Sequence, residues 1–485
     1  MRICKIIYPL VAAMLFGNLS PAQEAPAAPA EQQETKEQRD ARMKWWRDAK
    51  FGMFIHYGLY SGLGGYFKGV PGGGEWIQCN LGLDTATYAA EALPLFRPAE
   101  GCTEAWAALA KEAGCRYMVL TSKHHEGFAL FDAINSDYCT GAVLGRDIVK
   151  EFTESARKAG MKVGLYHSVI DWHQQDYDNT ICRDLCYPVG QERMLQEKQI
   201  PRNHAAYQEY LHTQVRQLVR SYGPIDIMWW DYSQGNLSGE AWKAQELMQT
   251  CRDANPGVLF NNRLYAFSGF DPSLDTTELD FSKGDFSTPE KRIPREGYPG
   301  RDWEACMTVG NRWGYHQDDH ENYKSPETII YQLQECAAKG GNLLLNIGPR
   351  ADGSIPAGIV EVFRRVGAWM KVNGESIYNS RPLGDVLDLP DELTGSVVWD
   401  DIYIFLPRRE AGEADMDYVL SFPANQVNAV YPTILGQDDC EVIMERVEEK
   451  DENGETQYYL DFVIPAEAWE QAVEGLPVLK LGYDG

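Results

Sequence analysis

Two patterns of apolar positions alternate along the chain. Short, nearly continuous apolar runs of strand length are separated by stretches in which apolar residues recur every three or four positions, as in an amphipathic helix. Helices are predicted before several of the runs, at Glu104–Ala113, Asp147–Ala159, Tyr207–Tyr222 and Pro326–Lys339. Strands are predicted at residues 51–58, 116–122, 162–168, 225–231, 258–263, 305–309 and 342–348.

The junctions between these helices and strands also repeat. The text AGCR at 113–116 leads into the second strand, and AGMK at 159–162 leads into the third. A glycine at such a place ends a helix and turns the chain directly into a buried strand. Apolar strands separated by helices indicate a parallel sheet covered on both faces, and more than six such units favour closure into a barrel. We therefore predict an α/β fold with a TIM-like (β/α)-barrel over residues 43–382.

The helical spacing ends after a helix predicted at Val360–Val372. Short β runs follow, and Asn453-Gly454 is typical of a tight hairpin. We predict a small antiparallel β-sandwich domain over residues 383–485, with a structural role favoured over glycan binding because no aromatic cluster facing a glycan can be placed. Its predicted strands are residues 396–399, 402–407, 418–422, 427–435 and 458–465.

The first residues have the features of an export signal. A basic start is followed by the apolar run Ile6–Leu19 and by the small residues Ser20-Pro21-Ala22. The run is too short for a good membrane-spanning helix, so we expect cleavage near Ala22 and no membrane insertion of the mature chain. Residues 23–42 are rich in Ala, Pro and Glu and predict a flexible tether. The mature protein is expected in the periplasm or outside the cell.

The net charge and the positions of the cysteines limit which partners and which disulfides are expected. The 485 residues carry a net charge of −26, which argues against nucleic acid and anionic membranes and is compatible with neutral glycans. Cys182 and Cys186 share a loop-like stretch and are the best candidates for a local disulfide. Cys115, Cys306 and Cys336 lie in apolar segments that resemble strands or helices and are expected to be buried thiols. The oligomeric state is left open.

The candidate chemistry gathers at the strand ends. In a (β/α)-barrel the reactive groups lie at the carboxyl ends of the strands. These positions hold carboxylates, imidazoles, an arginine and aromatic rings. Such a set suits a hydroxyl-rich ligand, because aromatic rings cover the apolar face of a sugar and polar side chains form hydrogen bonds with its hydroxyls. The set is His56, His124, His125, Tyr166, His167, Trp229, Trp230, Asp231 and Arg263 at strand ends, together with Glu304, which opens the sixth strand.

Several long motifs resemble one enzyme family. KHHEGF at 123–128 and GGNLLLNIGP at 340–349 are similar to glycoside hydrolase family 29, the α-L-fucosidases. So are, in the same order across residues 45–380, the texts FGMFIHYGLYS (51–61), GEWIQ (74–78), YGPIDIMWWD (222–231) and WEACMT (303–308). The resemblance implies a retaining exo-α-L-fucosidase that acts on fucosylated oligosaccharides or glycoconjugates without a cofactor or metal.

The resemblance also implies roles for single residues. Asp231 corresponds to the nucleophile and Glu304 to the general acid/base. A retaining mechanism requires one ionised and one protonated carboxyl group about 5–5.5 Å apart. An aspartate beside cationic partners stays ionised, and a carboxyl group that faces the leaving group holds its proton more strongly. His167 could take the role assigned to Tyr166. The fucose-binding residues implied are His56, Glu75, Trp76, His124, His125, Tyr166, Trp229 and Arg263.

Two departures from the family pattern affect the expected specificity. Tyr57 stands where the family usually has tryptophan, and the loop at residues 61–74 is unusually rich in glycine. Both are expected near the sugar or the aglycone, where they would change linkage preference but leave the chemistry intact.

Three alternatives stay open. One is a metal-dependent barrel hydrolase that uses His56, His124, His125 and Asp231, which is disfavoured because successive side chains of a strand point oppositely. The second is an inactive glycan-binding protein of the same fold. The third is a fucosidase restricted to certain linkages of branched glycans.

Overall fold

The computed structural model describes residues 34–177, 201–233, 237–265, 283–409, 415–427, 430–450 and 453–483. The predicted signal peptide, residues 23–33, and the cysteines Cys182 and Cys186 lie outside these ranges. Helix α1, Lys36–Ala49, begins inside the stretch predicted as a flexible tether, so that prediction is wrong for residues 36–42. Residues 36–49 contain no proline or glycine and are rich in Lys, Glu, Gln, Arg and Ala, which favour a helix. Among the described residues, no helix is long and apolar enough to cross a membrane.

Seven parallel strands form a curled sheet. Its strand order is β7-β6-β5-β4-β1-β9-β8, so the chain steps outward from β1 to the edge strand β7, crosses to the other edge at β8 and returns inward to β9, beside β1. Every residue of β1, β4 and β9 is buried, which explains why these strands read as continuous apolar runs. The strands are β1 Phe51–Ile55, β4 Tyr117–Lys123, β5 Lys162–Ser168, β6 Ile227–Asp231, β7 Leu259–Phe260, β8 Glu304–Thr308 and β9 Asn342–Ile347.

The predicted barrel is confirmed only as this curled sheet. Within the described ranges its edge strands β7 and β8 do not pair with each other. Residues 286–290 lie between them and form single parallel bridges to both edges, Asn261 with Phe286 on one side and Glu290 with Cys306 on the other. This segment carries few apolar residues and was not predicted as a strand.

The five predicted helices are present, with ends that differ from the prediction by up to three residues. Asp147 and Ser325 cap two of them by accepting backbone hydrogen bonds from Lys150 (2.8 Å) and Thr328 (3.3 Å). Gly114 and Gly160 have φ of 87° and 83°, the left-handed turn that the repeated junctions predict. The helices are α2 Tyr60–Leu63, α3 Ile77–Asn80, α4 Thr85–Ala92, α5 Cys102–Glu112, α6 Thr140–Leu144, α7 Ile148–Lys158, α8 His204–Ser221, α9 Ala244–Ala254, α10 Pro326–Ala338 and α11 Ala357–Asn373.

The C-terminal part contains two antiparallel sheets that share a core including Ile402, Leu420 and Phe462. Strands β15 and β17 were not predicted; β15 is exposed and mostly charged, which hides its strand pattern. The predicted Asn453-Gly454 turn lies between β15 and β16. The first sheet has the order β10 Arg381–Pro382, β11 Thr394–Val398, β12 Asp401–Phe405, β17 Val478–Tyr483 and β14 Val430–Ile434, and the second has the order β13 Tyr418–Pro423, β16 Thr456–Ile464 and β15 Ile443–Lys450. Helix α12 is Glu467–Gln471. Earlier in the chain, a short hairpin joins β2 Tyr66–Phe67 to β3 Val70–Pro71.

The described cysteines are free thiols. Cys115, Cys306 and Cys336 are buried, as predicted. The domain boundaries at residues 43 and 383 stay predictions.

Candidate active site

Asp231 ends strand β6 and has three partners at the carboxyl end of the sheet. Arg263 Nη1 donates to Asp231 Oδ1 at 2.8 Å, and the Tyr166 hydroxyl donates to Oδ2 at 2.8 Å. His125 Nε2 lies 3.7 Å from the same Oδ2. Burial alone would raise the pKa of this carboxyl, but the Arg263 charge, His125 and the two hydrogen bonds outweigh burial and hold the pKa below its ordinary value. Asp231 is therefore ionised at neutral pH.

The imidazoles beside Asp231 are buried and neutral. Burial lowers the pKa of His56 to about 3 and that of His125 to about 4. His56 Nδ1 pairs with Asn346 Oδ1 at 2.7 Å, and His125 Nδ1 pairs with Ser168 Oγ at 2.7 Å. Neutral imidazoles can both donate to and accept from sugar hydroxyls.

His124 and His125 lie side by side, with ring centroids 4.1 Å apart. The expectation that these adjacent side chains point oppositely is wrong, because strand β4 ends at Lys123 and the alternation ends with it. In the described part of the chain, no group of three His, Cys, Asp or Glu residues is placed to hold a metal ion.

Tyr166 and His167 lie on opposite faces of the sheet, because side chains alternate along strand β5. Tyr166 bonds Asp231, and its ring stacks on that of Trp229 with centroids 5.7 Å apart. His167 points to the other face of the sheet, where its Nδ1 pairs with Ser122 Oγ at 2.9 Å.

Glu75 and Trp76 approach from the loop before helix α3. Glu75 Oε2 accepts from the backbone N–H of Gly314 at 2.8 Å, and burial raises the pKa of the Glu75 carboxyl. Trp76 packs on His125 and Tyr232, with ring centroids 5.1 and 5.4 Å apart. Trp76 therefore forms a wall of the site, whereas Glu75 holds the neighbouring backbone.

Glu304 does not lie where the resemblance implied. It is the first residue of β8, at the opposite end of the sheet from Asp231, and is 0% exposed. Its carboxylate accepts from the Tyr117 hydroxyl and, at 3.1 Å, from Trp229 Nε1. The predicted position facing a leaving group is wrong, because the strand begins rather than ends at this residue. Burial raises the pKa of Glu304 to about 7.

A raised pKa by itself does not mark an acid/base residue here. Burial raises the pKa of Glu126 to about 7 as well. Glu126 accepts from the backbone N–H of Leu59 at 2.8 Å and from the Tyr88 hydroxyl, which is a structural role. Both shifts report burial.

Glu290 is the site carboxylate that the sequence analysis missed. Arg263 Nη2 donates to Glu290 Oε2 at 3.0 Å, and Trp313 Nε1 donates to Oε1 at 3.2 Å. Its side chain is 19% exposed, compared with 14% for that of Asp231. Arg263 therefore joins two partly accessible carboxylates. Glu290 was missed because it lies in the segment between β7 and β8, which has no apolar run.

The two departures from the family pattern have different positions. Tyr57 points away from the site: its hydroxyl donates to the Ala351 carbonyl at 2.8 Å, and its ring packs on Phe96 and Trp106. The expectation that Tyr57 lies near the sugar is wrong. The glycine-rich loop does contact the segment that carries Trp313, since Gln317 N–H donates to the Gly64 carbonyl at 3.1 Å.

Comparison with known proteins identifies the family. The family model described as Alpha-L-fucosidase matches residues 19–375. An α-L-fucosidase of Dictyostelium discoideum is 30% identical over 366 residues, which cover 70% of this chain and 72% of the relative. The structure of α-L-fucosidase isoenzyme 1 from Paenibacillus thiaminolyticus superposes with a TM-score of 0.76 at 34% identity, covering 92% of this chain and 100% of that one.

A third match bears on mechanism. It is a family 29 α-L-fucosidase of Bacteroides thetaiotaomicron, seen as a trapped covalent intermediate with 2-fluoro-fucosyl fluoride in a glutamate-to-glutamine variant. Its TM-score is 0.71 at 25% identity, covering 91% of this chain and 96% of that one. With the family model spanning most of the chain and these motifs in order along it, the chain belongs to glycoside hydrolase family 29, the α-L-fucosidases, which are retaining glycosidases.

Proposed function

We propose that this chain releases terminal L-fucose from glycans by double displacement, with Asp231 as the nucleophile and Glu290 as the general acid/base. One observation carries the assignment: Arg263 holds Asp231 through Nη1 at 2.8 Å and Glu290 through Nη2 at 3.0 Å. A retaining glycosidase needs two carboxyl groups about 5–5.5 Å apart, and the shared guanidinium keeps Asp231 and Glu290 in the same part of the site. Glu304 has no contact of this kind.

The proposed reaction has two steps. Asp231 attacks the anomeric carbon of fucose while the glycosidic C–O bond breaks, and the Glu290 carboxyl gives its proton to the leaving oxygen. In the second step Glu290 takes a proton from water, the water oxygen attacks the anomeric carbon, and the bond to Asp231 breaks. The covalent intermediate trapped in the Bacteroides relative supports this route.

The surroundings of Asp231 support a deoxy sugar as the ligand. Trp76 and Trp313 offer ring faces for its apolar surface. His124 is 3% exposed, and its Nδ1 has no hydrogen-bond partner among the described residues, so it is available to a sugar hydroxyl. A panel of fucosylated oligosaccharides decides between broad and linkage-restricted activity, and wild-type turnover of an aryl α-L-fucoside excludes an inactive glycan-binding homologue.

Glu290→Ala tests the acid assignment through its dependence on the leaving group. With a dinitrophenyl α-L-fucoside, which needs no proton to depart, the first step should keep most of its rate. With a natural glycan the loss should reach about 10²–10⁴-fold, as is usual for lost general acid catalysis. Azide should restore turnover and give the α-configured fucosyl azide, because the covalent intermediate still forms.

Glu75→Ala is the matched control, since Glu75 is a buried carboxylate of the same region that bonds a backbone N–H. It should affect both substrates alike and gain nothing from azide. Equal losses on both substrates for Glu290→Ala would refute the assignment.

Export is part of the proposal. The basic start, the apolar run Ile6–Leu19 and the small residues before Gln23 support removal of residues 1–22 and a periplasmic or extracellular location.

A further inference from the structure

We propose that Glu304 is a positioning residue that acts on the nucleophile through Trp229. The inference rests on the proposed function, in which Asp231 is the nucleophile. It assigns a role to a buried carboxylate that the catalytic steps leave unused.

The two donors that hold Asp231 both rest on the Trp229 indole. The Arg263 guanidinium carbon lies 4.6 Å from the ring centroid, and the Tyr166 ring stacks at 5.7 Å with an interplanar angle of 21°. Arg263 and Tyr166 then donate to the two oxygens of Asp231, each at 2.8 Å. The orientation of the indole therefore sets the positions of both donors.

Glu304 fixes the orientation of the Trp229 indole through a hydrogen bond to its N–H. Trp229 Nε1 donates to Glu304 Oε1 at 3.1 Å, and the Tyr117 hydroxyl donates to Oε2. Glu304 pairs in register with Asn342, so its backbone is held at the amino-terminal end of the sheet. Trp229 is 1% exposed, and an indole N–H at such burial that lost its acceptor would be left unsatisfied.

The charges around the nucleophile determine how the effect would be seen. Asp231 faces Arg263, His125 and Tyr166, and it also interacts electrostatically with His56 and Cys306. Glu304 faces Tyr117 and the indoles of Trp229 and Trp46 and, at longer range, Arg263. Arg263, His125 and Tyr166 hold the pKa of Asp231 down against burial. Loosening Arg263 and Tyr166 should therefore raise the pKa of Asp231 and move the acidic limb of kcat/KM to higher pH, because the nucleophile must be ionised.

Glu304→Leu and Glu304→Gln separate positioning from proton transfer. Glu304→Leu should lower kcat by about 5- to 150-fold, the rate equivalent of one lost buried hydrogen bond. The loss should be equal on a dinitrophenyl fucoside and a fucosylated glycan, with the acidic limb moved to higher pH and no rescue by azide. Glu304→Gln keeps an oxygen for the Trp229 N–H and should restore most of the rate.

A double-mutant cycle tests the route through the indole. Trp229→Phe removes the N–H, so combining it with Glu304→Leu should cost little more than the larger single change. Should Glu304→Leu fail to fold, Trp229→Phe carries the same expectation for the acidic limb. Glu126→Gln is the matched control: another buried carboxyl with a raised pKa, it should lower Tm and leave the acidic limb in place.

Three results would overturn the proposal. Losses confined to poor leaving groups and rescued by azide would make Glu304 the acid/base. A lower Tm with unchanged kcat and pH profile would make Glu304 merely structural, and additive losses in the cycle would exclude Trp229 as the route. Failure of the proposed function would appear elsewhere, as missing leaving-group dependence in Glu290→Ala.

Discussion

Arg263→Met should damage both catalytic steps, because one guanidinium serves both proposed carboxylates. The Arg263 side chain is 3% exposed and contacts Asp231 and Glu290 at 2.8 and 3.0 Å. At an effective dielectric constant of about 20, opposite charges about 4 Å apart attract by about 4 kcal/mol before desolvation is counted. Removing one member of a buried ion pair typically costs about 3–5 kcal/mol, because a charge is left uncompensated.

Arg263→Met should shift the pH profile of kcat/KM in one direction. The Arg263 charge lowers the pKa of Asp231 against the effect of burial. Without that charge the pKa rises, so the acidic limb of kcat/KM should move to higher pH, and the rate below it should fall about tenfold per pH unit. At the pH optimum a loss of about 10²–10³-fold in kcat is expected, as for other preorganised donors.

The assay is the pH profile of an aryl α-L-fucoside, measured beside Tm. Arg263→Lys keeps a charge but cannot bond two carboxylates as a fork, so its loss should be intermediate. Arg364→Met is the matched control, since Arg364 pairs with Glu112 at the surface, where the two side chains are 57% and 51% exposed, and the change should cost about 1 kcal/mol of stability or less. An acidic limb that stays in place in Arg263→Met would refute the electrostatic account of Asp231.

Three further predictions follow from single features of the chain. Asp231→Gly should abolish turnover without unfolding the protein, and azide should restore it as the β-fucosyl azide; more than a few per cent of residual activity would contradict the nucleophile assignment. Mass spectrometry of the exported protein should find an N-terminus near Gln23, and retention of Ile6–Leu19 would contradict cleavage. Burial raises the pKa of Glu126 to about 7, above its unfolded value of about 4.3, so the stability that its proton contributes is present below about pH 4.3 and is lost as the pH rises to 7. Glu126→Gln should flatten that fall in Tm, and an unchanged slope would contradict it.

Much of the catalytic fold could be predicted because parallel strands buried on both faces leave a plain signal. Residues 162–168 were predicted as a strand with the bounds that the structure shows, and Asp231 was placed at the carboxyl end of its strand. Charge-rich β15 and the bridging segment 286–290 gave no such signal, since their positions depend on pairing rather than on apolar periodicity. Glu290 lies in that segment and was missed with it.

The wrong prediction of the position of Glu304 has a different cause. Glu304 precedes the strand predicted at residues 305–309, so the rule that reactive groups follow barrel strands already opposed the role that the family resemblance implied. Burial raises the pKa of Glu304 to about 7, as an acid/base role would require, but burial raises the pKa of Glu126 to about 7 as well, in a structural position. Perturbed pKa values point to function only when geometry agrees. Here the geometry is the guanidinium of Arg263, which contacts Asp231 and Glu290 and packs on the indole that Glu304 holds. The proposed acid, Glu290, is thus the carboxylate that shares Arg263 with the nucleophile, while the buried Glu304 positions Arg263 through the Trp229 indole.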